Sequence, residues 1–212
     1  MLKYISYQQI FHQGLITKIL QNITICCIFK QTNNEAIYYY NLASKLETMN
    51  EEYLLQLAEK YDSPLYVYDT AIIASQYKRI TDAFKSVHHI QLNYAVKALS
   101  NINILRYFNT LGAGLDTVSI QEVDLGIAAG VDPQKIIYTP NGVSLEEIEN
   151  VAKKGVQINI DNLSILELFG QKHPEIPVCI RINPHVMAGG NSKISVGHID
   201  SKFGISVHQV PH

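Results

Sequence analysis

Between residues 71 and 184 the chain repeats a single beat of helix, turn, short apolar stretch, turn. The apolar spacing predicts helices over 71–87, 102–111, 120–129, 145–154 and 163–172, with Gly130 and Gly155 closing two of them. It predicts strands over 89–96, 113–118, 135–140, 156–160 and 178–184. Strands that each feed a helix before the next strand require right-handed crossovers and a parallel sheet. Two architectures satisfy that rule, a doubly wound sheet and a (β/α) barrel.

The polar residues choose between them. Helices cover a parallel sheet, so its strands should be almost wholly apolar, yet every strand here ends in polar residues of one parity. These are Asn93 and Lys97 in "NYAVKAL", Asp116 after Gly114, Thr139 with Asn141, Gln157 with Asn159 and Asp161, and Cys179 with Arg181 and Asn183. One parity means one face. In a barrel that face is the interior, and its C-terminal mouth is where barrel enzymes keep their catalytic groups. The expected fold class is therefore α/β, a (β/α)8 TIM-type barrel of which this chain contains about five strands. On this reading Lys97 points into the mouth, where burial disfavours an ammonium and leaves an amine able to attack an aldehyde. The alternative is a lysine that merely ends a strand at the surface.

Composition excludes several other functions. With 212 residues, 47% hydrophobic and 17% charged, and a formal charge of -2, the chain suits an ordinary globular domain and offers no basic stripe for nucleic acid. Cys26, Cys27 and Cys179 form neither a CxxC pair nor an even framework, which points to a reducing, cytoplasmic setting. The apolar run over 19–29 contains Gln21 and Asn22 and is too short for a membrane span of roughly 20 residues. His185 and His198 have no partner at metal spacing, so they read as solvated loop histidines and no metal is expected. The segment 188–204 lacks the residue order of a P-loop.

"NYAVKAL", "GAGLDTVSIQEVDLGIAAGV", "KIIYTPNG", "INIDNLSIL", "RINPHV" and "SKFGI" together resemble the pyridoxal 5'-phosphate (PLP) decarboxylases of the alanine-racemase fold type. This is the ornithine/diaminopimelate/arginine decarboxylase family, and the likeness is strongest to its diaminopimelate members. It runs from about Met49 to Ser206. The resemblance implies PLP as cofactor, held covalently by Lys97, with Asp116, Glu122 and Arg181 lining its site. It implies a small amino-acid substrate, meso-diaminopimelate, converted to lysine and carbon dioxide at the last step of lysine biosynthesis, in a homodimer. Carboxynorspermidine, ornithine and arginine stay open as substrates, because the residues that read the far end of the substrate fall in the family's later half. A racemase of this fold would continue "KANAYGHG" after the lysine, where this chain has "KALSNINI".

Residue chemistry leaves each of the three accessory positions with a second reading. Asp116 would need a cation or hydrogen-bond partner if buried, or it caps the helix that begins near Ile120. Glu122, on a first helical turn, fits a capping or dipole role. Arg181 serves a cofactor or makes an ion pair with Asp161 or Asp116. Residues 1–48 break the pattern and are expected to stand outside the fold, with residues 49–212 forming the first part of the barrel domain. Since a barrel of this kind needs eight strands, the chain is also expected to be an incomplete and inactive portion of the decarboxylase, or a non-catalytic PLP-binding fragment.

Overall fold

The structure, a computed structural model, describes residues 31–32, 35–36, 51–186, 197 and 201–210. They fall into two units, Gly14–Ser86 and one that contains Val87–His212. In the first, β1 (Gln31–Thr32) pairs antiparallel with β2 (Glu35–Ala36). Helix α1 (Glu51–Tyr61) begins on Glu51 and Glu52 and has Lys60 in its last turn, charges that suit the helix dipole. Helix α2 (Thr70–Ala83) is capped by Asp69, whose Oδ1 accepts from the backbone N–H of Ala71 at 2.8 Å and of Ile72 at 3.3 Å. Residues 64–69, "PLYVYD", alternate as a strand would but form none. Tyr66 stands exposed and only Tyr68 makes an isolated bridge, because alternation alone does not make a strand without a ladder along its length. Apart from β1 and β2, the expectation that residues 1–48 stand apart lies outside the described residues.

The second unit holds the predicted beat. Five strands, β3 (Asn93–Ala95), β4 (Gly114–Thr117), β5 (Ile136–Tyr138), β6 (Gln157–Ile160) and β7 (Val178–Ile180), pair in parallel and in sequential order. Between them lie α3 (Ile102–Thr110), α4 (Ile120–Ala128), α5 (Leu145–Ala152) and α6 (Leu163–Lys172). Sequential order decides between the two architectures. A doubly wound sheet reverses its strand order at a switch point and places helices on both faces, whereas right-handed crossovers taken in one direction keep every helix on one face and curl the sheet toward a barrel. Beyond β7 the backbone continues through Arg181 into β8 (Ile182–Asn183), which pairs in parallel with β9 (Ile205–Ser206). The Arg181 N–H donates to the Ile160 carbonyl at 2.8 Å, and its own carbonyl accepts from Ile205 N–H at 2.7 Å, so β9 starts a sixth strand that the hydrophobic pattern does not single out.

The two faces of the sheet differ as a barrel requires. Outward residues Leu115, Ile136, Tyr138, Ile158 and Ile160 are buried against Leu105, Val123, Ile148, Val151 and Phe169 of the helices. Tyr138 donates to Glu147 Oε1 at 2.6 Å, and burial together with that carboxylate pushes its phenol above the usual value. Four helices begin on side-chain caps, Asn101, Ser119, Ser144 and Asn162, which satisfy backbone donors at the end of each helix nearest the strand tips. The inward face carries Asn93, Asp116, Asn159, Cys179 and Arg181, with register partners Asn93 to Gly114 and Asn159 to Cys179.

Gly114 is required by this packing. A Cβ there would run into the Asn93 side-chain oxygen and the Lys135 backbone carbonyl, and the carbonyl cannot rotate away. Gly114→Ala is therefore expected to cost about 2–3 kcal/mol, the upper part of the range for overpacking a core, read as a lower denaturant midpoint at constant slope.

Candidate active site

Five strand ends place their polar residues together. Strand β3 stops at Ala95, and Val96–Ala98 forms a single 3-10 turn closed by Leu99 N–H donating to Val96 O at 3.1 Å. Val96 of this turn is fully buried and anchors it, while Lys97 beside it is exposed. This corrects the expectation of a buried lysine carried inward by strand parity. The strand ends at Ala95, one residue short of the expected end, and the 3-10 turn that follows leaves Lys97 exposed. The amine is consequently open to a ligand from solvent.

Asp116, on β4, is 3% exposed. Burial pushes its carboxyl above the ordinary value, and a hydrogen bond with Thr139 and the charges of Lys97 and Arg181 pull the other way. The capping reading for Asp116 fails, because Ser119 Oγ takes that role by accepting from Glu122 N–H at 3.2 Å. Arg181, between β7 and β8, is half-buried; burial lowers its guanidinium from the usual value, and Asp161 and then Asp116 oppose that. Its Cζ lies 4.6 Å from the centre of the Phe203 ring, a cation–π contact. Both ion-pair partners considered for Arg181 thus act on it.

Glu122 makes a local hydrogen bond at the start of α4. Its Oε2 accepts from the Val118 N–H at 2.8 Å, one residue before the Ser119 cap, so both side chains brace the start of α4. His185 also departs from the solvated loop histidine expected of it. The ring packs at 5.1 Å against that of His208, and Nδ1 is buried without a hydrogen-bond partner. His198 lies outside the described residues. Among the described residues no three His, Cys, Asp or Glu side chains gather as a metal site, and no helix is long and apolar enough to cross a membrane.

Sequence reasoning missed the supporting residues, although it noted their parity. Thr139 and Asn141 follow β5, and Asp161 follows β6 directly opposite Arg181 in the continued register. Asn141 Nδ2 donates to Asp161 Oδ2 at 2.7 Å and to the Lys202 carbonyl at 3.3 Å. The Asn159 Oδ1 and Asn93 Oδ1 atoms are buried acceptors without a partner on the same inward face.

An accessible primary amine, a buried carboxylate and a guanidinium at the C-terminal ends of sequential parallel strands define a barrel protein equipped for carbonyl chemistry. The donor set fits an anionic aldehyde, since the amine can condense with the carbonyl and the guanidinium balances negative charge.

Comparison with known proteins agrees. Residues 70–212 match the family described as pyridoxal-dependent decarboxylase, pyridoxal binding domain. Diaminopimelate decarboxylase of Methanothermobacter thermautotrophicus is 36% identical over 159 residues, covering 74% of this chain and 37% of that protein. The Pseudomonas aeruginosa enzyme of the same name is 35% identical over 161 residues, covering 74% and 39%. The crystal structure of diaminopimelate decarboxylase from M. jannaschii, in complex with L-lysine, superposes with a TM-score of 0.64 at 32% identity over 73% of this chain and 38% of that one. The chain belongs to the pyridoxal-dependent decarboxylases, and the matched part is that family's pyridoxal-binding domain. It spans about two fifths of the length of the curated relatives it matches.

Proposed function

We propose that this chain provides the PLP-binding part of a decarboxylase that converts meso-diaminopimelate to lysine and carbon dioxide. The observation that carries the reading is that the exposed Lys97 and the half-buried Arg181 both act on the buried Asp116 at one set of strand ends. The choice of substrate is supported by the relatives of that name and by the L-lysine complex of the M. jannaschii enzyme. PLP, when bound, supplies the electron sink that lets a carboxylate leave as carbon dioxide.

The protein's own groups bind, orient and balance charge. Lys97 Nζ would hold the cofactor at its aldehyde carbon, since it is an exposed primary amine on the turn after β3. Asp116 gives the Lys97 ammonium an anionic neighbour that Thr139 holds in place, and Arg181 faces the negative charge of the cofactor or substrate. Glu122 serves this site only indirectly, by fixing the turn between Asp116 and α4. The same reading includes a homodimer in the cytoplasm for the assembled enzyme, which sedimentation and cell fractionation test.

The direct experiment is to incubate the chain with PLP, reduce with borohydride and map the modified lysine by peptide mass spectrometry. Label on the peptide containing Lys97 is the expected result. Label confined to Lys85 or Lys202 would sink the assignment.

A further inference from the structure

We propose that Asn141 and Asp161 are positioning residues that jointly hold the Arg181 guanidinium and the turn of residues 202–204 at the mouth. The role in catalysis rests on the reading of that mouth as the cofactor site; the mechanical role does not.

Three observations converge on it. First, the Asn141 amide group is shared, with Nδ2 donating to Asp161 Oδ2 at 2.7 Å and to the Lys202 carbonyl at 3.3 Å. One side chain after β5 therefore ties the end of β6 to the segment that leads into β9. Second, that segment is pressed onto the strand carrying Arg181. A Cβ at Gly204 would lie 2.8 Å from Asn183 N and 3.2 Å from Arg181 O, and Gly204 has φ +84°, so only glycine allows the approach. Third, Arg181 is bracketed along its whole length. Its N–H bonds to Ile160 O, its carbonyl to Ile205 N–H, and its guanidinium lies over Phe203, the residue between Lys202 and Gly204.

Asp161 stands at the junction. The register Ile160 to Ile180 places it opposite Arg181 on the inward face, and its charge acts on that guanidinium more than Asp116 does. A half-buried guanidinium has several rotamers open to it. Phe203 beneath it and Asp161 across from it restrict those rotamers, and Asn141 keeps both Asp161 and the Phe203 segment from drifting. Lys202 adds a second cation 5.1 Å from the same ring.

The test uses the chain with and without three substitutions, Asn141→Ala, Asp161→Asn and Asp161→Ala, and two readouts that need no cofactor. Hydrogen exchange of the Ile205 amide reports the tether, and the rate of phenylglyoxal modification of Arg181, relative to the exposed Arg106, reports guanidinium restraint. Asn141→Ala should speed Ile205 exchange at least tenfold and Arg181 labelling several-fold. Asp161→Asn keeps an oxygen for Asn141 and should leave Ile205 exchange within about twofold, yet still speed Arg181 labelling, because the charge opposite the guanidinium that restrains it is gone. Asp161→Ala should show both effects. Amides of β4 serve as the control for folding, and if Asp161→Ala loses their protection the other two variants decide. Wild-type exchange and labelling rates in both Asn141→Ala and Asp161→Asn would overturn the proposal. PLP fixed away from Lys97 in the unsubstituted chain would count against the functional reading and leave the positioning role standing.

Discussion

Lys97→Ala should abolish covalent PLP capture and lower decarboxylation by roughly four orders of magnitude, about 5 kcal/mol of transition-state stabilisation, while leaving the fold intact. Turnover is to be measured with the chain joined to the remainder of the M. thermautotrophicus enzyme, since the chain covers 37% of that protein. The size of the effect follows from chemistry, because Lys97 is the primary amine whose charge acts on the buried Asp116, while Lys202 lies over Phe203. The small effect on stability follows from position. Lys97 is exposed, its turn is anchored by the fully buried Val96, and exposed substitutions away from special backbone usually stay within about 0.5 kcal/mol. Lys97→Arg should fail as completely as alanine, since a guanidinium keeps the charge but has no free amine to offer a carbonyl. A Lys97→Ala enzyme that retains more than a tenth of its turnover, or one that melts far below the parent, would each refute the assignment.

Much of the architecture was legible because it follows from periodicity. Helix α6 occupies the residues the pattern predicts, and α3, α4 and α5 end within two residues of prediction, each begun by a Ser or Asn that could be read as a cap. The strands are shorter than the pattern predicts, β3, β4 and β5 at both ends, β6 at its start and β7 at its end. Residues 89–96 suggest a strand of eight, whereas the ladder with β4 covers only Asn93–Ala95, because a parallel ladder extends no further than the neighbouring strand, and β4 begins at Gly114, opposite Asn93. That shortening moved Lys97 from strand to turn and from buried to exposed. The start of β9 was hidden for the same reason, being two residues long and defined only by its pairing with β8.

The site was partly legible. Parity placed Asp116, Thr139, Asn141, Asp161 and Arg181 on one face, and they do converge there. Parity could not say which polar groups satisfy one another. The Asn141 hydrogen bond to the Lys202 carbonyl spans 61 residues in the chain, and no local pattern encodes it. Glu122 shows the opposite case. Its S-x-x-E spacing from Ser119 is a local signal for a helix start, and Ser119 caps α4 while Glu122 accepts from the Val118 N–H.

Asp116→Asn should lower decarboxylation on the order of 100-fold and, at neutral pH, make the protein without cofactor more stable. The carboxyl sits above its unfolded value of 3.8, chiefly because it is buried, despite the Thr139 hydrogen bond and the charges of Lys97 and Arg181. A carboxyl raised in the folded state binds its proton more tightly there than in the unfolded chain. Its contribution to stability is fully present below the unfolded value and is lost as pH rises through the folded one. Above that window the fold carries a buried charge that its neighbours only partly compensate. Asparagine removes the charge and keeps an oxygen to accept from Thr139, so the melting temperature should exceed that of the parent at neutral pH and converge with it below about pH 4. The loss of activity has the same origin, since the carboxylate that is costly to bury is the one that faces Lys97. Melting curves from pH 3 to 8 decide the matter. If Asp116→Asn is less stable than the parent at neutral pH, Lys97 and Arg181 over-compensate the buried carboxylate, and Asp116 is a structural anion rather than one held at a cost for the cofactor.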